Sequence, residues 1–255
     1  MIKNKIYNLD VCNFLEKIDD NSIDLIIADP PYNMGIDKWD KFKSDSDYWK
    51  FMYKWISLAI KKLKDNGSIY IFNNQKNSAI LLTYLIKKGV HFNNWITWYK
   101  KDGFHPTKTK FVNNQETILF MSKGKPKTFN FDAVRMPYLS TKRFNAKNGI
   151  KAKNGNRWIP NKNGKLCTDV WEFSSERHNL KNNGKIVKLC HPTIKPTKII
   201  ERIILASSKQ NDLILDLFSG SGQTSICAKK LGRDFIGCEI NKKFYNFCLE
   251  RLKND

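Results

Sequence analysis

Two short apolar runs far apart in the chain constrain the fold more than any other feature. "SIDLIIADPPY" spans Ser22 to Tyr32, and "DLILDLFSGSG" spans Asp212 to Gly222. In each, a stretch of Ile and Leu runs without alternation into an acid and then into a turn. Such a run suits a strand covered on both faces, which is the condition of a parallel sheet. Helical spacing follows each run. "YWKFMYKWISLAIKKL" predicts a helix with Ser46 or Asp47 as N-cap, and "SAILLTYLIKKG" a helix ended by Gly89. "PTKIIERIILASS" predicts a helix with Pro196 in its first turn, with "QTSICAKKLG" and "NKKFYNFCLERLKN" as further helices. "SIYIFNN" and "DFIGCEI" read as strands between them, and "DNG" at Asp65–Gly67 as a turn. Strand–helix–strand at both ends predicts an α/β fold with a doubly wound, mostly parallel sheet.

The middle of the chain differs. "HFNNWITWYK" and "QETILFMSKG" are strand-like, and the polar "KDGFHPTKTKFVNN" between them lacks helical spacing, so they are expected to pair antiparallel. From Lys123 to Cys190 periodicity fades into Lys, Asn and Gly, which predicts an irregular insertion. Tyr138, Trp158, Trp171 and Phe173 are candidate anchors that an inert linker would not need. The expected division is therefore 1–122, an insertion at 123–190, and 191–255, with the first and last parts halves of one domain. The loop "NMGIDKWDKFKSDSD" is long for a compact domain, which favours a functional role.

Charge points to a partner. The 255 residues carry a formal net charge of +21. Residues 99–190 hold 20 basic and 6 acidic residues, whereas 1–98 hold 14 and 11. A coding bias toward Lys would spread evenly; concentration in one segment is the footprint of a polyanion such as nucleic acid. Lys108, Lys110, Arg143, Lys151, Lys153, Arg157 and Arg177 are candidate contacts, although for any one of them a solvated surface role is the commoner fate. No apolar run is long enough to span a membrane, and no signal-peptide pattern opens the sequence. Six cysteines and four histidines form neither a CxxC pair nor a zinc spacing, so no metal and free thiols in a reducing cytoplasm are expected.

Two constellations carry chemistry. Gly220 and Gly222 follow a strand and precede a helix, where glycine permits a tight turn and close approach of a ligand to backbone N–H groups. Glu239 ends the next strand, 23 residues after Asp216, the place of an acid that accepts hydrogen bonds from ribose hydroxyls. A turn that only packs helix on strand is the alternative. Position 225 is Ser where the dinucleotide pattern has its third glycine, which favours an adenosine cofactor without pyrophosphate. At the other strand tip, Pro30 and Pro31 fix the backbone and leave the Pro30 carbonyl as an aimed acceptor beside the Asp29 carboxylate. Two acceptors match the two N–H donors of an exocyclic amino group. Tyr32 adds a face on which a base can stack, worth about 1–3 kcal/mol. A plain Pro-Pro turn would explain the prolines but not the acid and the ring.

Asp29–Tyr32 ("DPPY") followed much later by Phe218–Gly222 ("FSGSG") resembles the amino-methyltransferases that use S-adenosylmethionine. The motif order, with "HPTIKP" at His191–Pro196 just before the cofactor helix, resembles the β class of DNA adenine-N6 methyltransferases. "NWITWYKKDG", "RWIPNKNGKLC" and "VWEFSSERH" resemble modification enzymes of type IIS restriction systems. The resemblance implies a Rossmann-like, seven-stranded sheet with one antiparallel strand, and a target-recognition insertion. It implies a base site at Asp29, Pro30, Pro31 and Tyr32. It implies S-adenosylmethionine at Phe218, Ser219, Gly220, Ser221 and Gly222, with Asp216 and Thr224 flanking and Glu239 on the ribose. Lys195 and Thr197 would meet the cofactor carboxylate. Asp10 would contact the adenine of the cofactor, or serve simply as a helix N-cap. The implied partners are double-stranded DNA and a cognate restriction endonuclease in a functional sense; a homodimer fits the class, although no interface signature stands in the sequence. Cytosine-N4 enzymes more often have Ser in place of Asp29, which favours adenine. RNA or protein-glutamine methylation, and a catalytically inactive DNA-binding relative, are the other readings.

Overall fold

The structure, a computed structural model, describes every residue except 102–106, 147, 152, 154, 176–178, 183–184, 189–193 and 255. Its elements run β1 (Lys5–Tyr7), α1 (Val11–Leu15), β2 (Ile23–Ala28), α2 (Asp45–Lys62), β3 (Leu63–Asn73), α3 (Gln75–Lys87), β4 (His91–Tyr99) and β5 (Gln115–Ser122). The middle segment contributes α4 (Thr141–Phe144), β6 (Ile150–Lys151), β7 (Arg157–Trp158), β8 (Val170–Glu172), β9 (Asn179–Asn182) and β10 (Lys185–Lys188). The chain ends with α5 (Thr197–Ser207), β11 (Leu213–Asp216), α6 (Gln223–Lys230), β12 (Asp234–Cys238) and α7 (Lys242–Asn254).

One sheet carries the order β1-β12-β11-β2-β3-β5-β4-β8. Pairs from β1 to β3 are parallel, β5 runs antiparallel to both β3 and β4, and β8 returns parallel to β4. The mostly parallel α/β expectation and its antiparallel strand are therefore met, but the sheet has eight strands rather than seven. The eighth, β8, comes from the segment expected to be irregular.

Alternation within β2 explains why helices cover both faces. Ile26 and Ala28 pack with Phe14, Trp55 and Leu81 of α1 to α3. Leu25 and Ile27 pack on the opposite face with Ile199, Ile203 and Cys227 of α5 and α6. On α5 the buried residues Ile199, Ile200, Ile203 and Ile204 form the stripe that a core-facing helix requires. No helix among the described residues is long and apolar enough to cross a membrane.

Local punctuation departs from expectation in three places. Helix α2 is capped by Ser44, whose side chain accepts from the Asp47 N–H, so the cap lies upstream of Ser46 and Asp47. Pro196 is the N-cap of α5 rather than a residue of its first turn. The Asp65–Gly67 turn lies inside β3: Ile23 pairs with Leu63 and Leu25 with Ser68, so the residues between bulge outward. A turn-forming sequence opposite a continuous strand becomes a bulge rather than a chain reversal.

The middle segment is pinned rather than loosely appended. Trp171 is buried, and the Trp98 indole N–H donates to the Phe173 carbonyl at 2.8 Å. The Arg202 guanidinium of α5 lies over both Trp171 and Phe173, at 5.1 and 4.7 Å from the ring centroids. Asn130 donates to the carbonyls of Leu205 and Ser208 at the end of α5. Trp158 instead lies exposed on β7, and Tyr138 is half-buried.

Gly237 in β12 permits the closest approach in the sheet. A Cβ there would meet Ser219 Oγ at 2.7 Å, Ile6 Cδ1 at 2.8 Å and the Asp216 carbonyl at 3.0 Å. Gly237→Ala is expected to cost about 1–3 kcal/mol through overpacking, read as a lowered urea midpoint with an unchanged m-value.

Candidate active site

Strands β2 and β11 lie side by side, with Leu25 opposite Ile214 and Ile27 opposite Asp216. From β2 the chain builds outward through β3; from β11 it builds the other way, through β12 to β1. The strand order thus reverses between them, and a crevice opens beyond their C-terminal ends. Asp29 leaves the tip of β2 and Phe218 the tip of β11. Both line one cleft of about 730 Å³, together with Pro30, Tyr32, Gly220 and Glu239. That volume is in the range of small-molecule sites.

At the β2 side, acids and bases alternate. Asp29 Oδ2 accepts from Lys195 Nζ at 2.9 Å. The Tyr32 hydroxyl lies 3.0 Å from Asp29 Oδ1 and 3.1 Å from Glu116 Oε2, with one proton for two acceptors. Lys195 Nζ is also 3.5 Å from Glu116, and Lys100 holds the other Glu116 oxygen. Burial raises the Asp29 carboxyl above the usual carboxylate range, against the pull of Lys195. Burial also pushes Glu116 upward, but Lys195 and Lys100 outweigh it and hold that carboxyl below its usual value. Burial beside two acids raises the Tyr32 hydroxyl far above its ordinary value, so it stays a donor. Asp29 keeps about a quarter of its side-chain surface open.

The backbone after Tyr32 is wrapped around one buried carboxylate. Asp40, 1% exposed, accepts from the N–H groups of Tyr32 at 2.6 Å, Asn33 at 2.9 Å, Met34 at 2.9 Å and Ile36 at 3.3 Å. Asn33 has φ of 58°, in the left-handed region that Asn tolerates. Beneath, the Asn77 amide donates to the Tyr32 carbonyl and to Asn73 Oδ1, each at 2.9 Å.

At the β11 side the glycine turn closes over Glu239. Its carboxylate accepts from the N–H groups of Gly220 and Asn241, both at 2.8 Å. Gly222 has φ of 77°, and a Cβ there would stand 2.4 Å from Cys248 Sγ. Ser219, Ser221 and Thr224 are buried beside a small cavity under the turn, which Lys195 and Asp216 also line. Asp10 caps α1 by accepting from the Cys12 and Asn13 N–H groups, and it also lines the cleft. The Thr197 hydroxyl accepts from the Gln223 amide and is not among the cleft residues. Lys195 sits on Asp29 rather than reaching only toward the glycine turn. Of "HPTIKP", His191, Pro192 and Thr193 lie outside the described residues, as does Arg177.

Glu116, Lys100, Asp40 and Asn77 were not singled out from the sequence. Glu116 stood inside a strand-like run and Asp40 inside a polar loop, and nothing in their local spacing marks them.

The whole arrangement is an α/β fold with a cleft of small-molecule size at the topological switch point. A profile of the DNA methylase family, of the N6/N4 type, matches residues 23–250, and the chain belongs to that family. It is 51% identical over 255 residues to the Type II methyltransferase M1.MboII of Moraxella bovis, covering 98% of each chain. It is 35% identical to the Type II methyltransferase M.HpaI of Haemophilus parainfluenzae, covering 94% of this chain and 71% of that one. The fold matches the PvuII DNA methyltransferase (cytosine-N4-specific) with a TM-score of 0.70 at 18% identity, covering 97% and 85% of the two chains. It matches the M1.HpyAVI–SAM complex with a TM-score of 0.61 at 24% identity, covering 97% and 98%.

Two outcomes follow from these carboxylates. Asp40→Ala leaves buried N–H groups without an acceptor and is expected to cost about 2–3 kcal/mol, with faster proteolysis between Asn33 and Lys43. Asp40→Asn keeps only one acceptor oxygen and should recover part of that loss. Asp216 is raised from 3.8 to about 7, chiefly by burial. The folded state then holds a proton that the unfolded chain releases near 3.8, so this contribution to stability is full at low pH and declines until about pH 7. Denaturation midpoints of Asp216→Asn and the unsubstituted protein, compared across that range, should diverge with rising pH, the Asn variant lacking the decline.

Proposed function

We propose that the protein transfers the methyl group of S-adenosylmethionine to N6 of a flipped-out adenine in double-stranded DNA, as the modification component of a Type II restriction–modification system. The observation that carries this reading is one cleft lined both by Asp29–Tyr32 and by the glycine turn with Glu239. The Type II designation of its relatives supports the biological setting, and with it action in the cytoplasm beside the DNA.

The residues fit the cofactor. Glu239 spends one lone pair of each oxygen on backbone N–H groups and retains others for ribose hydroxyls. Leu9, Phe218, Ile240 and Phe244 supply apolar lining, Asp10 an acceptor at the rim, and Gly220 an approach without a side chain. S-adenosylmethionine, when bound, supplies an electrophilic sulfonium methyl.

The base site follows from the tip of β2. The adenine N6 lone pair is delocalised into the ring, which makes N6 a weak nucleophile. Asp29 and the Pro30 carbonyl accept its two N–H bonds and favour a pyramidal nitrogen with a localised pair. Both Asp29 oxygens keep a lone pair beyond those directed at Lys195 and Tyr32. Catalysis is then positioning and electrostatics, with no covalent enzyme intermediate. The buried thiols of Cys227 and Cys248, pushed up to about 12 by burial, have no part in it. Asp rather than Ser at position 29 favours adenine over cytosine. The fold alone favours neither, since a cytosine-N4-specific enzyme shares it. The segment 123–190, with Arg143, Lys151, Lys153 and Arg157, serves as the target-recognition part. In this reading 1–122 and 191–255 are the base-binding and cofactor-binding halves of one catalytic domain.

Incubation with methyl-tritiated cofactor and, in parallel, duplex DNA, RNA and protein should label only DNA, and digestion should release N6-methyladenine. Asp29→Ala should lower transfer by about 100-fold or more while cofactor binding persists. Label in N4-methylcytosine, RNA or protein, or undiminished transfer by Asp29→Ala, would refute the assignment.

A further inference from the structure

The loop that joins β4 to β5 carries an almost fully exposed aromatic ring. Phe111 is 99% exposed. Neighbouring parts of its loop are tied down. Asn113 and Gln75 exchange side-chain hydrogen bonds at 2.9 and 3.3 Å, and the Asn114 carbonyl accepts from the Lys100 N–H at 2.8 Å. Thr107, Lys110 and Asn113 line the cleft. Phe111 precedes Glu116 by five residues, so even a fully extended chain keeps it within about 18 Å of the acid cluster. Lys108 and Lys110 precede it by three residues and one, exposed and without an ion pair among the described residues. A bare phenyl group next to two cations at a cleft mouth is a poor arrangement for a free surface. It suits a partner that offers phosphates outside and an apolar stack within.

We propose that Phe111 is the wedge that enters the duplex beside the target base and fills the space the base leaves. The proposal rests on the reading of the cleft as a site for a flipped DNA base. Extruding a base costs unstacking and unpairing, and an apolar side chain inserted between base steps offsets that cost. Lys108 and Lys110 hold phosphates next to the insertion. The exposed Leu139 and Ile159 are as apolar but belong to the segment 123–190, whereas Phe111 sits in the loop whose Thr107, Lys110 and Asn113 line the cleft. Met34 and Ile36 do line it, but their N–H groups are drawn in by Asp40.

The modified sequence is first read from plasmid DNA methylated by the unsubstituted enzyme. A duplex of that sequence, with 2-aminopurine at the target position, then reports unstacking by its fluorescence. The unsubstituted enzyme should raise the signal. Phe111→Ala should lose most of the rise and at least about tenfold in turnover, whereas Phe111→Leu, which keeps an apolar wedge, should retain most of both. On a duplex with an abasic position opposite the target adenine, Phe111→Ala should methylate within about threefold of the unsubstituted enzyme, because extrusion there is cheap. A full fluorescence rise with Phe111→Ala, or a defect that persists on the abasic duplex, overturns the wedge. An unsubstituted enzyme that methylates DNA without any rise overturns it as well. An unsubstituted enzyme that labels no DNA overturns the underlying function, and the wedge with it.

Discussion

The parallel pairing of β2 with β11 holds the rest of the site in place. Three residues of each strand are in register, Leu25–Ile27 against Ile214–Asp216. No hairpin joins them; residues 29–212 are threaded between. The pair holds because each strand is apolar on both faces and each face is covered by helices, so neither strand can move without exposing Ile and Leu to water. Once they pair, their C-terminal ends must open at the same edge of the sheet. The Asp29 carboxylate and the glycine turn are neighbours for that reason alone.

Around this edge the protein manages an unusual density of buried charge. Asp29, Glu116, Lys195 and Lys100 alternate in sign, and each carboxylate has an ammonium partner. Burying any one of these ions singly would be costly; burying them as a network lets each partner replace part of the lost hydration. Asp40 uses a different solution. Its charge faces backbone N–H groups instead of a cation, so the turn after Tyr32 is shaped by the acid it encloses. The backbone around Tyr32 is tied by Asp40 and Asn77, and the cleft lies open beside it.

The fold was legible where local rules dominate. Unbroken apolar strands, helical spacing and Gly89 all act within a few residues, and the structure follows them. The Asp65–Gly67 turn does not follow, because the continuous partner strand converts it into a bulge. β8 was not legible, because three residues at a sheet edge take strand form only when β4 offers its unpaired groups. The candidate site was legible in its motif residues. Glu116 and Asp40 were not, since their roles arise from contacts with residues 84 and 8 positions away. Lys195 was singled out for the cofactor; that its ammonium also sits on Asp29 was not legible.

The sequence by itself determined the element types, the α/β class, a polyanion footprint in the middle of the chain, and two strand tips with the functional groups for a base and a nucleoside cofactor. These properties depend on residue type and near spacing, which a linear text preserves. Tertiary structure decided that the two tips share one cleft, that Lys195 and Glu116 complete the charge network, and that Asp40 shapes the turn beneath Tyr32. It also left Phe111 bare at the cleft mouth. Those facts depend on which distant segments meet, and that is set by packing both faces of one sheet at once rather than by any local pattern.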